Sequence, residues 1–83
     1  MFYTYILKSQ KTKRYYIGQT ENLNNRLKRH NTGLVKSTKH GVPWEMTLYE
    51  TFNTKSEACC RESEIKGYKG GIKFKRLLGL WKE

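Results

Sequence analysis

Five side chains carry most of the chemistry this sequence can offer. Arg26 and His30 stand four residues apart, the spacing that puts two side chains on one side of a helix. Tyr5 and Tyr16 are phenols, each inside a run of β-forming residues. Glu62 follows Ala58 and precedes Ile65 at i, i+4, i+7, the apolar stripe of a helix. A guanidinium is always charged and presents a planar fork that fits an oxyanion. An imidazole titrates near neutrality and can hold or release a proton there. A carboxylate on an apolar stripe is costly unless it is paired or binds a cation.

These groups need elements to position them. Phe2 to Ser9 is rich in β-branched and aromatic residues and predicts a strand, and Arg14 to Gln19 predicts a second. The polar loop between them, Lys8 to Lys13, suits an antiparallel hairpin. A symmetric loop pairs Tyr5 with Tyr16 and Tyr3 with Gly18, setting two phenols side by side on the sheet face away from the first helix. That helix follows: Thr20 or Asn22 caps it, Gly33 ends it, and Leu23 and Leu27 form its buried stripe. Arg26 and His30 lie on a neighbouring face, with Lys28 and Arg29 outward. After a loop from Leu34 to Pro43, Trp44 to Phe52 alternates as a half-buried strand. Its Trp44, Met46, Leu48 and Phe52 point one way, and Glu45, Thr47, Tyr49 and Thr51 the other. Thr54 and Glu57 have capping-box spacing and open a second helix, on which Glu62 faces the sheet and Glu57 and Glu64 face water. Gly67, Gly70 and Gly71 interrupt the chain. Phe74, Leu77, Leu78 and Trp81 then give a third helix. The expected fold is a small α+β domain, with a three-stranded antiparallel sheet flanked by about three helices.

Bulk properties narrow the partners. At 83 residues the chain is expected to form one domain, residues 1–83. Seventeen Lys and Arg against seven Asp and Glu give +10, a charge that attracts polyanions and makes nucleic acid the first candidate partner. Lys39 and Lys66 are further candidates to meet phosphate, and His40 reads as an ordinary loop residue. No apolar run is long enough to span a membrane, and the N-terminus has no basic region ahead of its apolar part, so a cytoplasmic protein is expected. Cys59 and Cys60 are adjacent and have no second pair, so neither a disulfide nor a zinc site is expected, only small buried side chains with at least one partly exposed.

The residues together resemble the GIY-YIG nuclease superfamily, and in particular its small single-domain bacterial members. The second signature triplet stands intact as Tyr16-Ile17-Gly18. Tyr3-Thr4-Tyr5 occupies the place of the first and keeps its tyrosine at the family's distance from the second. "NRLKRHNTG" resembles the family's first helix, whose arginine and histidine fall on Arg26 and His30. "ACCRESEIK" resembles the segment with its metal-binding glutamate, which falls on Glu62. The chain departs from larger relatives in having no asparagine after Asn53 and no separate DNA-recognition domain.

The resemblance implies hydrolysis of DNA phosphodiesters, structure-guided or weakly specific, with one divalent ion, Mg²⁺ or Mn²⁺. Arg26 would hold a non-bridging oxygen, and Glu62 would anchor the metal. Tyr16, Tyr5 and His30 are all candidates to take a proton from water; a free phenol has a pKa of ~10, so histidine is the easier base on that ground alone. Lys28, Arg29, Lys39 and Lys66 would meet the backbone of DNA, branched or nicked included, with RNA as another possible substrate. No membrane or small-molecule cofactor is expected, and the state is monomer or weak dimer. The competing readings are a nucleic-acid-binding module of the same fold that does not cut, and a basic protein docking an acidic partner.

Overall fold

The structure, a computed structural model, describes residues 1–80. Strands β1 (Phe2–Ser9), β2 (Tyr15–Thr20) and β3 (Trp44–Phe52) form one antiparallel sheet in the order β2-β1-β3. Helix α1 (Leu23–Asn31) covers one face, while α2 (Lys55–Gly67) and α3 (Ile72–Leu77) cover the other. This is the α+β architecture expected from the sequence; the contribution of Trp81 to the third helix lies outside the described residues.

Because β1 is central and covered on both faces, Thr4, Tyr5, Ile6 and Leu7 are all buried. Alternation then sends them into two cores. Tyr5, Leu7 and Trp44 pack with Tyr16, Leu23, Leu27 and Met46 under α1. Ile6, Ile65 and Phe74 pack with Ile17, Leu48 and Leu77 under α2 and α3. Local signals begin the helices. Asn22 accepts from the Asn25 amide at the start of α1. Thr54 accepts from the Glu57 amide, and its hydroxyl donates to the Glu57 carboxylate 3.0 Å away, so the capping spacing acts as expected.

Three expectations are corrected. The hairpin register is two residues from the symmetric one: Tyr5 faces Gly18 and Leu7 faces Tyr16. The turn explains this, since the buried Ser9 hydroxyl accepts from the amides of Lys11 and Thr12 and fixes where the chain reverses. A two-residue shift preserves the faces, so Tyr5 and Tyr16 still share one. Second, β3 does not alternate cleanly. Ile6 pairs with Leu48 but Leu7 with Met46, so Thr47 is an extra residue in a bulge. The bulge sends Trp44 and Met46 toward α1, and Leu48 toward α2 and α3. Third, the cysteines are not buried: Cys59 is half-buried and Cys60 exposed, both free.

Candidate functional site

Tyr5 rises from the central strand but spends its hydroxyl over the neighbouring one. A Cβ on Gly18 would stand 2.6 Å from its Oη and 2.8 Å from its Cζ, so only glycine fits beneath the ring. The phenol thereby reaches the open edge of the sheet at β2. His30 meets it there from the last full turn of α1, with Nε2 3.2 Å from the Tyr5 Oη. The Tyr16 ring centroid is 4.8 Å from that of His30 and 6.3 Å from that of Tyr5. The phenol pair is therefore on the face that α1 covers, which reverses the expectation; Leu23 and Leu27 draw α1 onto that face because they pack on this cluster.

The protons in this cluster can be placed. The Thr38 hydroxyl donates to the Val35 carbonyl, so it accepts from His30 Nδ1, and Nε2 is left to accept the Tyr5 proton; the Arg26 charge acts on the same phenol. His30 Nδ1 then carries the ring proton and donates to Thr38 Oγ1 at 2.8 Å. Both titrating groups stay neutral. Burial pushes the Tyr5 phenol well above its ordinary value, reinforced by the Tyr16 phenol and the Glu62 carboxylate and opposed by Arg26. Burial lowers His30, and the charges of Arg26 and Arg29 lower it further. A neutral tyrosine donating to a neutral histidine is the arrangement these shifts favour.

The loop after α1 is tied down around this pair. Trp44 Nε1 donates to the Thr38 carbonyl at 2.8 Å, and the Asn31 side chain bonds both the amide and the carbonyl of Trp44. Thr38, Asn31 and the steric part of Gly18 were missed in the sequence. Gly18 carried a signal, since an isolated glycine in a strand marks close approach. Thr38 carried none, being a polar residue in a loop without periodicity.

Glu62 approaches from α2. Its stripe neighbours Ala58 and Ile65 are fully buried, but its own side chain keeps 22% of its exposure, so it faces the sheet from the rim rather than from the core. Its carboxylate accepts from Lys66 Nζ at 2.6 Å, and its charge reaches Tyr5. Glu64 lies on the outer side, paired with Arg61. Among the described residues no group of three or more His, Cys, Asp or Glu gathers as a metal cluster. The other candidate cations are on the surface: Lys28, Arg29 and Lys39 are exposed, the Arg29 charge acts on His30, and the exposed His40 lines a cavity with Tyr16.

Comparison with known proteins places this arrangement. Residues 1–74 match the model of the GIY-YIG catalytic domain. The chain is 40% identical over 76 residues to a UPF0213 protein of Staphylococcus haemolyticus, covering 90% of this chain and 92% of that one. It is 43% identical over 63 residues to a UPF0213 protein of Staphylococcus epidermidis, covering 75% and 77%. The solution NMR structure of a UPF0213 protein from Bacillus halodurans superposes with a TM-score of 0.60 at 30% identity, over 96% of this chain and 85% of that one. With its sequence matched over nearly its whole length and its sheet and helices shared with a solved relative, the chain belongs to the GIY-YIG catalytic domain family.

Proposed function

We propose that this protein is a divalent-metal-dependent endonuclease that hydrolyses DNA phosphodiester bonds with weak sequence preference or guided by DNA structure. The observation that carries this reading is the convergence of Tyr5, Tyr16, Arg26 and His30 at one sheet edge, with the Glu62 charge felt at the same phenol. Arg26 is half-buried with its charge acting on Tyr5, so its planar fork stands where it can take a non-bridging phosphate oxygen. Glu62 is a single half-exposed carboxylate, which suits Mg²⁺ or Mn²⁺, ions that keep most of their waters. When bound, such an ion acts as a Lewis acid on the phosphate and its leaving oxygen. Lys66 gives up Glu62 in that state and turns its ammonium to the DNA.

The proton on the attacking water falls to Tyr16, which takes it as the phenolate after its own proton has passed to solvent. Tyr5 is 1% exposed and its phenol is held neutral by burial, so it does not serve as the base. His30 is also 1% exposed, and its one free lone pair is occupied by the Tyr5 hydroxyl. Tyr16 is the half-buried member with access to solvent, and it stands against the His30 ring. Tyr5, His30 and Thr38 then form a neutral frame that orients Tyr16 and Arg26. Lys28, Arg29 and Lys39 hold the flanking backbone. The testing experiment is a nicking assay on branched, flapped and linear DNA, with and without Mg²⁺ or Mn²⁺. Metal-dependent nicking of any of them is expected; tight binding without cutting in every condition would instead make the chain a non-catalytic DNA-binding module.

A further inference from the structure

A polar cavity of about 370 Å³ opens beside Arg26, and its lining has a charge problem. Arg26 and Arg29 come to it from α1, and Lys55 from the first turn of α2. Asn22 and Asn25 supply side-chain amides at the same wall. One carboxylate, Glu21, also lines the cavity, yet it is ion-paired with none of the three cations; Glu50 and Glu64 pair with Arg61, and Glu62 with Lys66. Three cations from two helices thus face one cavity that holds a single carboxylate, ion-paired with none of them, which leaves a net positive lining. The position of Lys55 adds weight. A lysine in the first turn stands at the positive end of the helix, where its charge costs stability. An anion seated in the cavity would reverse the sign of that effect.

We propose that this cavity binds a DNA backbone phosphate adjacent to the one held by Arg26, with Arg29 and Lys55 as its ligands. The inference rests on the nuclease reading for its substrate, and it names where a second phosphate sits. Arg26 belongs to both the cavity and the Tyr5 cluster, so it marks the boundary between the two phosphates. The far wall, built by Arg29 and Lys55, is reached next along the strand. Since β2 contributes Gln19 and Thr20 to the cavity and Tyr16 to the cluster, the DNA strand runs along the β2 edge.

The experiment is a binding scan without metal, by fluorescence anisotropy, using an oligonucleotide with one phosphate at a time replaced by a neutral methylphosphonate. Wild-type protein is expected to lose roughly tenfold in affinity at one position beside the site contacted by Arg26. In the Arg29→Gln, Lys55→Gln double variant that position should become silent, and the slope of log affinity against log salt should fall by about 1. A Lys11→Gln, Lys13→Gln variant, with equal charge removed from the hairpin turn, should keep the position-specific loss. Equal effects from both double variants, a flat scan, or absence of DNA binding would overturn the subsite. Stabilisation of wild type by inorganic phosphate equal to that by DNA at the same phosphate concentration would assign the cavity to free anions and overturn the DNA assignment. Cutting and subsite separate cleanly: a position-specific loss in a protein that never nicks keeps the cavity and removes the nuclease.

Discussion

The two faces of the sheet are held by different physics. Under α1 the contacts are directional: Tyr5 to His30, His30 to Thr38, Trp44 to Thr38 and Asn31 to Trp44. Under α2 and α3 they are mostly apolar packing of Ile6, Ile65 and Phe74, with one buried hydrogen bond from Thr4 to the Ala58 carbonyl at 2.7 Å and, at the margin, Arg61 to Glu50 at 2.6 Å. Packing tolerates substitution of shape for shape; a chain of hydrogen bonds fixes atoms and proton positions. The face that must present chemistry is the one built from hydrogen bonds, and the other supplies the rigid backing.

The largest effect should come from the residue that crosses this division. Glu62 rises from the packed layer, and its charge reaches Tyr5 on the other. Glu62→Gln should abolish nicking while DNA binding holds or tightens, because a negative charge near phosphate has gone. Its pair with Lys66 is a partly exposed i, i+4 pair, so the melting temperature should move by the equivalent of under about 1 kcal/mol. Glu64→Gln should nick as wild type does. Full activity in Glu62→Gln, measured beside that control, would remove the metal-anchoring role.

Next is the packed face itself. Ile65→Ala should cost about 2–5 kcal/mol in a denaturant titration, since Ile65 is 1% exposed between β1 and α3. Activity per folded molecule should stay near wild type, and a specific activity that fell with the stability would show that the backing is part of the site. On the hydrogen-bonded face the pattern inverts. Tyr16→Phe should leave the fold intact and slow nicking by about 10²-fold. Tyr5→Phe should hurt the rate less but cost about 1–3 kcal/mol, because the buried His30 Nε2 loses its partner. Similar near-wild-type rates in both would make the phenols structural.

The smallest effect is the response to acid. Folding lowers the pKa of His30 through burial and the neighbouring arginines. Above its unfolded value of ~6.5 both states keep the ring neutral and stability is full. Below it the unfolded chain takes a proton that the folded chain refuses, so stability falls as pH drops toward the folded pKa. The slope contributed by one such group is at most about 1.4 kcal/mol per pH unit. Urea titrations at pH 7.5, 6.5 and 5.5 should show it, and His30→Gln should flatten it; an unchanged slope in that variant would place the acid sensitivity elsewhere.

Element types and order were legible in the sequence because each has a strong local cause: β-rich runs, the caps Asn22 and Thr54, and the apolar stripes of the helices. The side chains of the candidate site stood out through type and spacing, and helical phase and the family resemblance pointed separately to Glu62. What escaped depended on one or two atoms. The register turned on the Ser9 hydroxyl, and the split of β3 between two layers turned on one extra residue, Thr47. Thr38 escaped because its role exists only once a loop has folded back onto His30. Local periodicity reports which way a residue points, but not which distant atom it will meet.

The fit of Tyr5 against Gly18 has a consequence for how such a chain can diverge. A methyl at position 18 collides with the Cζ and Oη of Tyr5, so that step is closed while the aromatic ring stays. Loss of the ring is open at any time, and it empties the space that a side chain at 18 needs. The two positions therefore change in one order only. Gly18→Ala should be badly tolerated alone and mild in a Tyr5→Leu background, which a pair of melting curves would show. Once a lineage has filled position 18, recovery of the phenol requires the glycine first, a change with no benefit of its own. A descendant that had taken both steps would be held away from the ancestral site by geometry alone, long after any selection against cutting had ceased.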